Sequence, residues 1–235
     1  MKAPAHRRSP SVVKESFTAV AESNRQGNFV GSPLRTVGDT AILDRPMVAL
    51  FCSAKCPGKL ILDTYELAKQ FREQGVTVII GFHSPMEEEC LRIMLRSPHP
   101  VIWCLARGMF KRIPTKPVDC RAAIVEGRLL IISPFKDNVH RVTAKTAVAR
   151  NSLVADLAAA VVVAHAAPGS KIEALTLELL AAGKPVYTFN QSANASILAQ
   201  GARVVGRLDF AGLAMGHRVK ERKAPAGDFH PPSDI

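Results

Sequence analysis

From residue 47 to residue 205 the chain alternates between two hydrophobic rhythms. Short runs that are apolar on successive positions (MVALFCS, VTVIIG, VIWCLA, RLLIIS, AAVVVAHA, PVYTF and ARVVG) read as strands buried on both faces. Between them come CPGKLILDTYELAKQFREQG, SPMEEECLRIMLRS, PVDCRAAIVEG, VTAKTAVARNSLVADLA, SKIEALTLELLAAG and ANASILAQG, which read as helices. Gly75 and Gly183 stand where a helix would end on a C′ glycine. Ser84, Pro85 and Glu87 have the spacing of an N-cap, an N1 proline and a capping-box partner. Strands without a polar face, each followed by a helix, require a parallel sheet covered on both sides. The expected fold class is α/β: a Rossmann-like, doubly wound, mostly parallel sheet with helices on both faces.

The pattern is weaker at the ends. Residues 1–40 read as a partly ordered leader with one short helix near SVVKESFTAVAE, residues 41–205 as the Rossmann-like domain, and residues 206–235 as a flexible tail. No apolar run reaches the roughly 18 residues needed to span a bilayer. The N-terminus lacks the apolar stretch of a secretory signal. The reading is therefore a cytoplasmic protein with no membrane partner. The five cysteines fall in no zinc-type spacing, and Cys52 and Cys56 form C-x3-C rather than C-x-x-C. Reduced thiols are expected, with no metal and no cofactor.

In a doubly wound sheet ligands bind beyond the carboxyl ends of the strands. That selects three loops: CSAKCPG after the first strand of the alternating series, GFHSP after the second, and HAAPGS after the strand near 160–165. Neither G-x-G-x-x-G after the first strand nor G-x-x-x-x-G-K-[ST] is present, which argues against an ordinary dinucleotide dehydrogenase and a P-loop enzyme. In GFHSP, Gly81 allows close backbone approach, Phe82 can stack on a base, His83 can donate to a phosphate, and Ser84 adds a hydroxyl beside helix amides. The competing reading makes Ser84 a plain cap and Phe82 a core residue. In HAAPGS, Gly169 and Ser170 offer amides, Lys171 a cation, and Glu173 a group for a ribose hydroxyl; an ordinary capped turn is the alternative. Arg150 and Asn151 interrupt an apolar helix, where an arginine needs an anion or a buried partner.

Charge separates these loops from their surroundings. Of the formal net charge of +11, residues 105–150 supply 10 Lys/Arg against 3 Asp/Glu, or +7, whereas residues 151–205 balance at 3 and 3. A solvated face explains such a run as readily as a phosphate-binding surface does. On the second reading Arg107, Lys111, Arg112 and Arg150 are the cations, with Phe82 or Phe110 available for stacking.

Taken in order, FCSAKCPG, IGFHSPMEEECL, ARNSLVADLA, AHAAPGSKIEALTLELLAAGKPVYTFN and NASILAQGA resemble the motifs of the DNA-processing protein A (DprA, or Smf) family. That family belongs to the Rossmann-like folds related to the lonely-guy (LOG) proteins. The resemblance runs collinearly over residues 40–205, and the Arg-Asn pair and the closing N-x-x-[IL]-[LI]-x-x-GA are its most specific parts. Ala54 and Lys55 follow Ser53 where the family reads GSR, and the GFHSP loop replaces a longer family motif. The 30-residue tail is too short for the winged helix that many members carry. The resemblance implies a single-stranded DNA-binding protein acting in DNA uptake, natural transformation or recombination, with a recombinase and a second copy of the chain as further partners. The strand-end loops and the basic segment together offer Ser53, Lys55, Gly81, Phe82, His83, Ser84, Arg107, Lys111, Arg112, Arg150, Asn151, Gly169, Ser170 and Lys171 as residues for nucleic acid or phosphate.

The alternative is a nucleotide ligand, held by a sensor or by a LOG-like nucleoside monophosphate phosphoribohydrolase. LOG enzymes carry PGG-GT--E; here PGSKIEALTLE lacks the second glycine and the threonine, and Glu173 and Glu178 fall outside the motif's spacing. A DNA-binding protein without catalytic residues is the preferred expectation. A scaffold with an empty crevice and a basic face for a protein partner is the third.

Overall fold

The computed structural model describes residues 15–18 and 34–206. Within them one sheet of nine strands runs in the order β1-β2-β6-β5-β4-β3-β7-β8-β9. The first two strands, β1 (Glu15–Thr18) and β2 (Leu34–Val37), lie in the segment read as a leader, and β1 stands where a helix was expected. Both are antiparallel additions: β1 pairs with β2, and β2 pairs with β6 (Leu129–Ser133). The exposed edge of β6 supplies hydrogen-bonding groups that local sequence cannot reveal, and the chain satisfies them with β2.

The remaining strands are parallel, as the apolar runs predict. They are β3 (Met47–Cys52), β4 (Thr77–Ile80), β5 (Val101–Cys104), β6, β7 (Ala160–His165), β8 (Val186–Thr188) and β9 (Arg203–Val204). Helices α1 (Gly58–Glu73), α2 (Pro85–Met94) and α3 (Cys120–Val125) share a core with one set of alternating strand residues, including Val48, Leu50, Val78 and Ile80. Helices α4 (Ala144–Leu157), α5 (Lys171–Ala181) and α6 (Ala195–Ala199) share the other core with Ala49, Phe51, Ile79 and Ile102. Strand period two therefore feeds both layers at once. Each fully buried Leu, Ile or Val contributes about 1.5–3 kcal/mol.

Strand order reverses between β3 and β7, so the crevice of the fold opens beyond their carboxyl ends. The loops after β3, β4, β5, β6 and β7 all emerge at that edge. Gly75 ends α1 with φ of 68°, and its neighbour Val76 donates its amide to Phe71 O at 3.0 Å, so the glycine is needed for its left-handed backbone. No described helix is long and apolar enough to cross a membrane.

Candidate nucleic-acid interface

The loops after β5 and β6 carry the charge excess, and the structure joins them into one unit. Ser133 Oγ donates to Arg107 O at 2.6 Å, and Gly108 N donates to Val139 O at 2.8 Å. A Cβ at Gly108 would lie 2.5 Å from Lys136 O and 2.8 Å from Asp137 Cα, so only glycine permits this backbone contact. Arg35 from β2 forms an ion pair with Asp137. On this frame Lys111, Arg112, Lys116, Lys136 and Arg141 are exposed, with Lys145 following at the start of α4. Arg107 is half-buried, its guanidinium carbon 5.7 Å from the centre of the Phe110 ring.

An aromatic series links this frame to GFHSP. Phe110 meets Trp103 edge-on at 5.4 Å, and Trp103 meets Phe82 edge-on at 6.1 Å. Trp103 Nε1 donates to Gly81 O at 2.7 Å. Phe82 is only 2% exposed and has φ of 45°, a strained backbone for a bulky residue, held by the burial of its own ring. The stacking role expected of Phe82 is therefore corrected: its ring is inside the core. Phe110, half-buried at the loop surface, is the aromatic nearer to solvent.

Arg150 is corrected in the same way. It is 3% exposed, and its guanidinium fills the space beside Gly81 rather than reaching solvent. Nη1 donates to Cys104 O at 3.1 Å and Nε donates to Asn151 Oδ1 at 2.7 Å, while Nη2 lies 3.3 Å from His83 Nδ1. The same His83 nitrogen is 3.0 Å from Glu87 Oε2, so with a hydrogen it donates to the carboxylate and without one it accepts from Arg150. Glu87 is itself buried. Burial pushes its carboxyl up, but hydrogen bonds and charge from His83, with the charge of Arg150, outweigh that and leave it below the ordinary carboxylate range. The arginine that interrupts an apolar helix thus has a buried partner, the Cys104 carbonyl, which is one of the two explanations its position demands, while Asn151 is half-buried and His83 exposed.

The amides expected to cradle a phosphate are occupied by the protein's own acids. His83 N and Ser84 N both donate to Glu87 Oε2, at 2.9 and 3.1 Å, while Ser84 Oγ accepts from Glu87 N at 3.3 Å. This is the expected capping box, and the three-residue spacing in the sequence produces it. At α5, Gly169 N donates to Glu173 Oε2 at 2.7 Å, and Ser170 Oγ accepts from Glu173 N at 3.1 Å. Ser196 Oγ donates to the other oxygen of Glu173 at 2.9 Å, which engages the carboxylate offered for a ribose.

The crevice between β3 and β7 is closed by hydroxyls. Ser53 N donates to His165 O at 2.8 Å, and Ser53 Oγ accepts from Ala167 N at 2.9 Å. That oxygen also lies 3.0 Å from Ser170 Oγ. Below it Asn194, which sequence reasoning left unassigned, donates to Ala164 O at 3.0 Å and Thr188 Oγ1 at 2.8 Å, while its oxygen faces His165 Nδ1 at 3.0 Å. Lys55 and Lys171 stand exposed on the loops to either side. The structure thus brings Ser53 and Ser170 together, and Gly81, His83, Arg150 and Asn151 together. It leaves Lys55, Arg107, Lys111, Arg112 and Lys171 as cations around them. Lys116, Lys136, Arg141 and Lys145 were missed as individual candidates, although the charge count over 105–150 contains all four.

A family model described as DNA recombination-mediator protein A matches residues 31–210. The fold superposes on DNA processing protein A from Helicobacter pylori, solved for its single-stranded DNA binding mode, with a TM-score of 0.64 and 18% identity over 86% of this chain and 95% of that one. It also superposes on DprA from Streptococcus pneumoniae with a TM-score of 0.63 and 19% identity, over 77% of this chain and 65% of that one. At these identities the likeness is one of fold. Among curated proteins none matches the chain.

Proposed function

Because the chain belongs to the DNA recombination-mediator protein A family, we propose that it binds single-stranded DNA along the joined loops after β5 and β6. The observation that carries this reading is the fixed basic frame: Lys111, Arg112, Lys116, Lys136 and Arg141 exposed on two loops tied together at Gly108 and Ser133. A flexible charged loop would lose entropy on gripping a phosphate backbone; a frame tied by hydrogen bonds has already lost it. Phe110, with Arg107 over its ring, is the residue on that frame for contact with a base. The helix N-termini contribute little, because Glu87 and Glu173 occupy the places where a phosphate would sit. The same occupancy weighs against the nucleotide-sensor and phosphoribohydrolase readings, which need those amides. The chain acts here as a binding protein that forms no covalent intermediate. A recombinase is the partner that would receive the strand, and a homodimer is the assembly implied by the family resemblance.

The test is fluorescence anisotropy of a labelled single-stranded oligonucleotide over a salt series. Each phosphate contact contributes about 0.7 to the log–log salt slope on a single strand. Replacing Lys111 and Arg112 with alanine together should lower the slope by about 1.4. Affinity independent of salt, or stronger for duplex than for single strands, would remove the proposal. Sedimentation with and without the oligonucleotide reads the assembly.

A further inference from the structure

Sheet order puts the end of β4 between two groups of exposed cations. Lys111 and Arg112 follow β5, and Lys136 and Arg141 follow β6; on the other side, Lys55 follows β3 and Lys171 opens α5 beyond β7. With neighbouring strands about 4.8 Å apart, β6 and β7 are separated along this edge by about 19 Å, too far for one phosphate to bridge. A nucleic-acid strand that runs from the first group to the second crosses the loop after β4, and His83 stands on that loop.

The His83 ring lies between a buried charge pair and solvent. Its side chain is 57% exposed, whereas that of Glu87 is 5% exposed. Nδ1 faces both Glu87 Oε2, at 3.0 Å, and Arg150 Nη2, at 3.3 Å. These neighbours make opposite demands: the carboxylate calls for a proton on Nδ1, and the guanidinium for a bare nitrogen. Nε2 has no hydrogen-bond partner among the described residues. A charge placed outside the ring therefore decides which neighbour prevails.

We propose that His83 is a phosphate contact that takes up a proton on binding, its imidazolium bridging the buried Glu87 to a backbone phosphate midway along the bound single strand. The proposal rests on the single-stranded DNA reading and extends it from the basic frame to the loop after β4. In the imidazolium, Nδ1 donates to Glu87 and Nε2 donates to a phosphate oxygen, so both donors end on anions. Arg150 gives up Nδ1 but keeps Cys104 O and Asn151 Oδ1. Burial pushes the Glu87 carboxyl up, but hydrogen bonds and charge from His83, with the charge of Arg150, hold it below the ordinary range, so it remains an acceptor. The thiols that feel these two charges, Cys52, Cys90 and Cys104, are held above their ordinary value, Cys90 and Cys104 at about 12 by burial. They stay protonated where an imidazole titrates. Because the bound state carries the extra proton, affinity is greatest on the acid side of that range and falls as pH rises.

The test is anisotropy of the full chain with a labelled single-stranded oligonucleotide between about pH 5.5 and 8.5, the imidazole range, at constant ionic strength. His140 is also exposed on the loop after β6, so a His140→Gln reference protein is compared with the same protein carrying His83→Gln. The His83 ring is exposed, and circular dichroism checks that its replacement leaves the fold intact. The reference should gain about threefold to tenfold in affinity toward the acid end beyond any gain in the His83→Gln protein. Its salt slope should be steeper by about 0.7 at the acid end and equal at the alkaline end. Calorimetry in two buffers of different ionisation enthalpy should find a fraction of a proton taken up near neutrality that the His83→Gln protein does not take up. Identical pH dependence, salt slope and proton uptake in the two proteins would overturn the proposal and leave the DNA-binding reading standing. An oligonucleotide that binds neither protein at any pH would remove both.

Discussion

Gly81→Ala tests whether the buried arginine is held in the geometry described. The added Cβ would lie 1.7 Å from Arg150 Nη1 and 2.4 Å from its Cζ, far inside van der Waals contact. The backbone of Gly81 lies outside the left-handed region, so alanine itself causes no strain there and the clash is the whole effect. Arg150 must leave, losing its bond to Cys104 O, and Glu87 loses part of the charge that keeps it ionised in the core. A hydrogen bond to a charged group contributes about 1.5–3 kcal/mol, and breaking a buried pair costs about 3–5 kcal/mol. Partial escape of the long side chain to solvent offsets some of that, so we expect a loss of about 2–4 kcal/mol. In a domain of this size that lowers Tm by roughly 5–15 °C. The assay is urea unfolding of a double-mutant cycle with Arg150→Ala. Once the guanidinium is gone the space is open, and Gly81→Ala should cost less than about 1 kcal/mol or stabilise slightly. An equal cost of Gly81→Ala in both backgrounds would refute the reasoning, because the methyl would then be clashing with something other than Arg150.

Gly108→Ala places a Cβ against the Lys136–Asp137 backbone and should separate the two basic loops; single-stranded DNA affinity should fall severalfold with no change in charge, together with a stability loss of about 1–3 kcal/mol. Glu87→Gln reads the buried acid. The folded carboxyl lies below its ordinary value, so its contribution is fully present above the unfolded pKa of about 4.3 and is lost as pH falls through the folded value. The wild type should exceed the variant by about 1.5–3 kcal/mol at pH 7 and converge with it in acid, as read by denaturant unfolding at several pH values. Trp103→Phe keeps the ring packing but leaves Gly81 O without its indole donor, and should lose about 1–3 kcal/mol by the same unfolding assay.

The parallel strands and the helices between them were legible because burial on both faces leaves a local mark: uninterrupted apolar runs such as AVVVAH, with helix signals between them. The capping box at Ser84 was equally local, since both its hydrogen bonds close within three residues. β2 was not legible. LRTV is short, and it forms a strand because β6 offers an unpaired edge nearly a hundred positions later in the chain. Arg150 marked a buried or ligand-bound cation from the sequence, but its spacing could not choose between them. The choice rests on Cys104 O and His83, which the sheet brings to it from the ends of β5 and β4.

The same division holds for the candidate site. Sequence alone determined the α/β class, the strand-end loops and the positive excess over residues 105–150, because hydrophobic period and charge are properties of each segment by itself. Only the tertiary structure decided which residues of those loops remain available. Phe82 and Arg150 went into the core, and Glu87 and Glu173 occupied amides that the sequence offered to a phosphate. The exposed lysines and arginines of the loops after β5 and β6 became one surface. The physical reason is competition. A buried donor or charge takes whichever partner the fold brings within reach, and the identity of that partner depends on strand order rather than on neighbours in the chain.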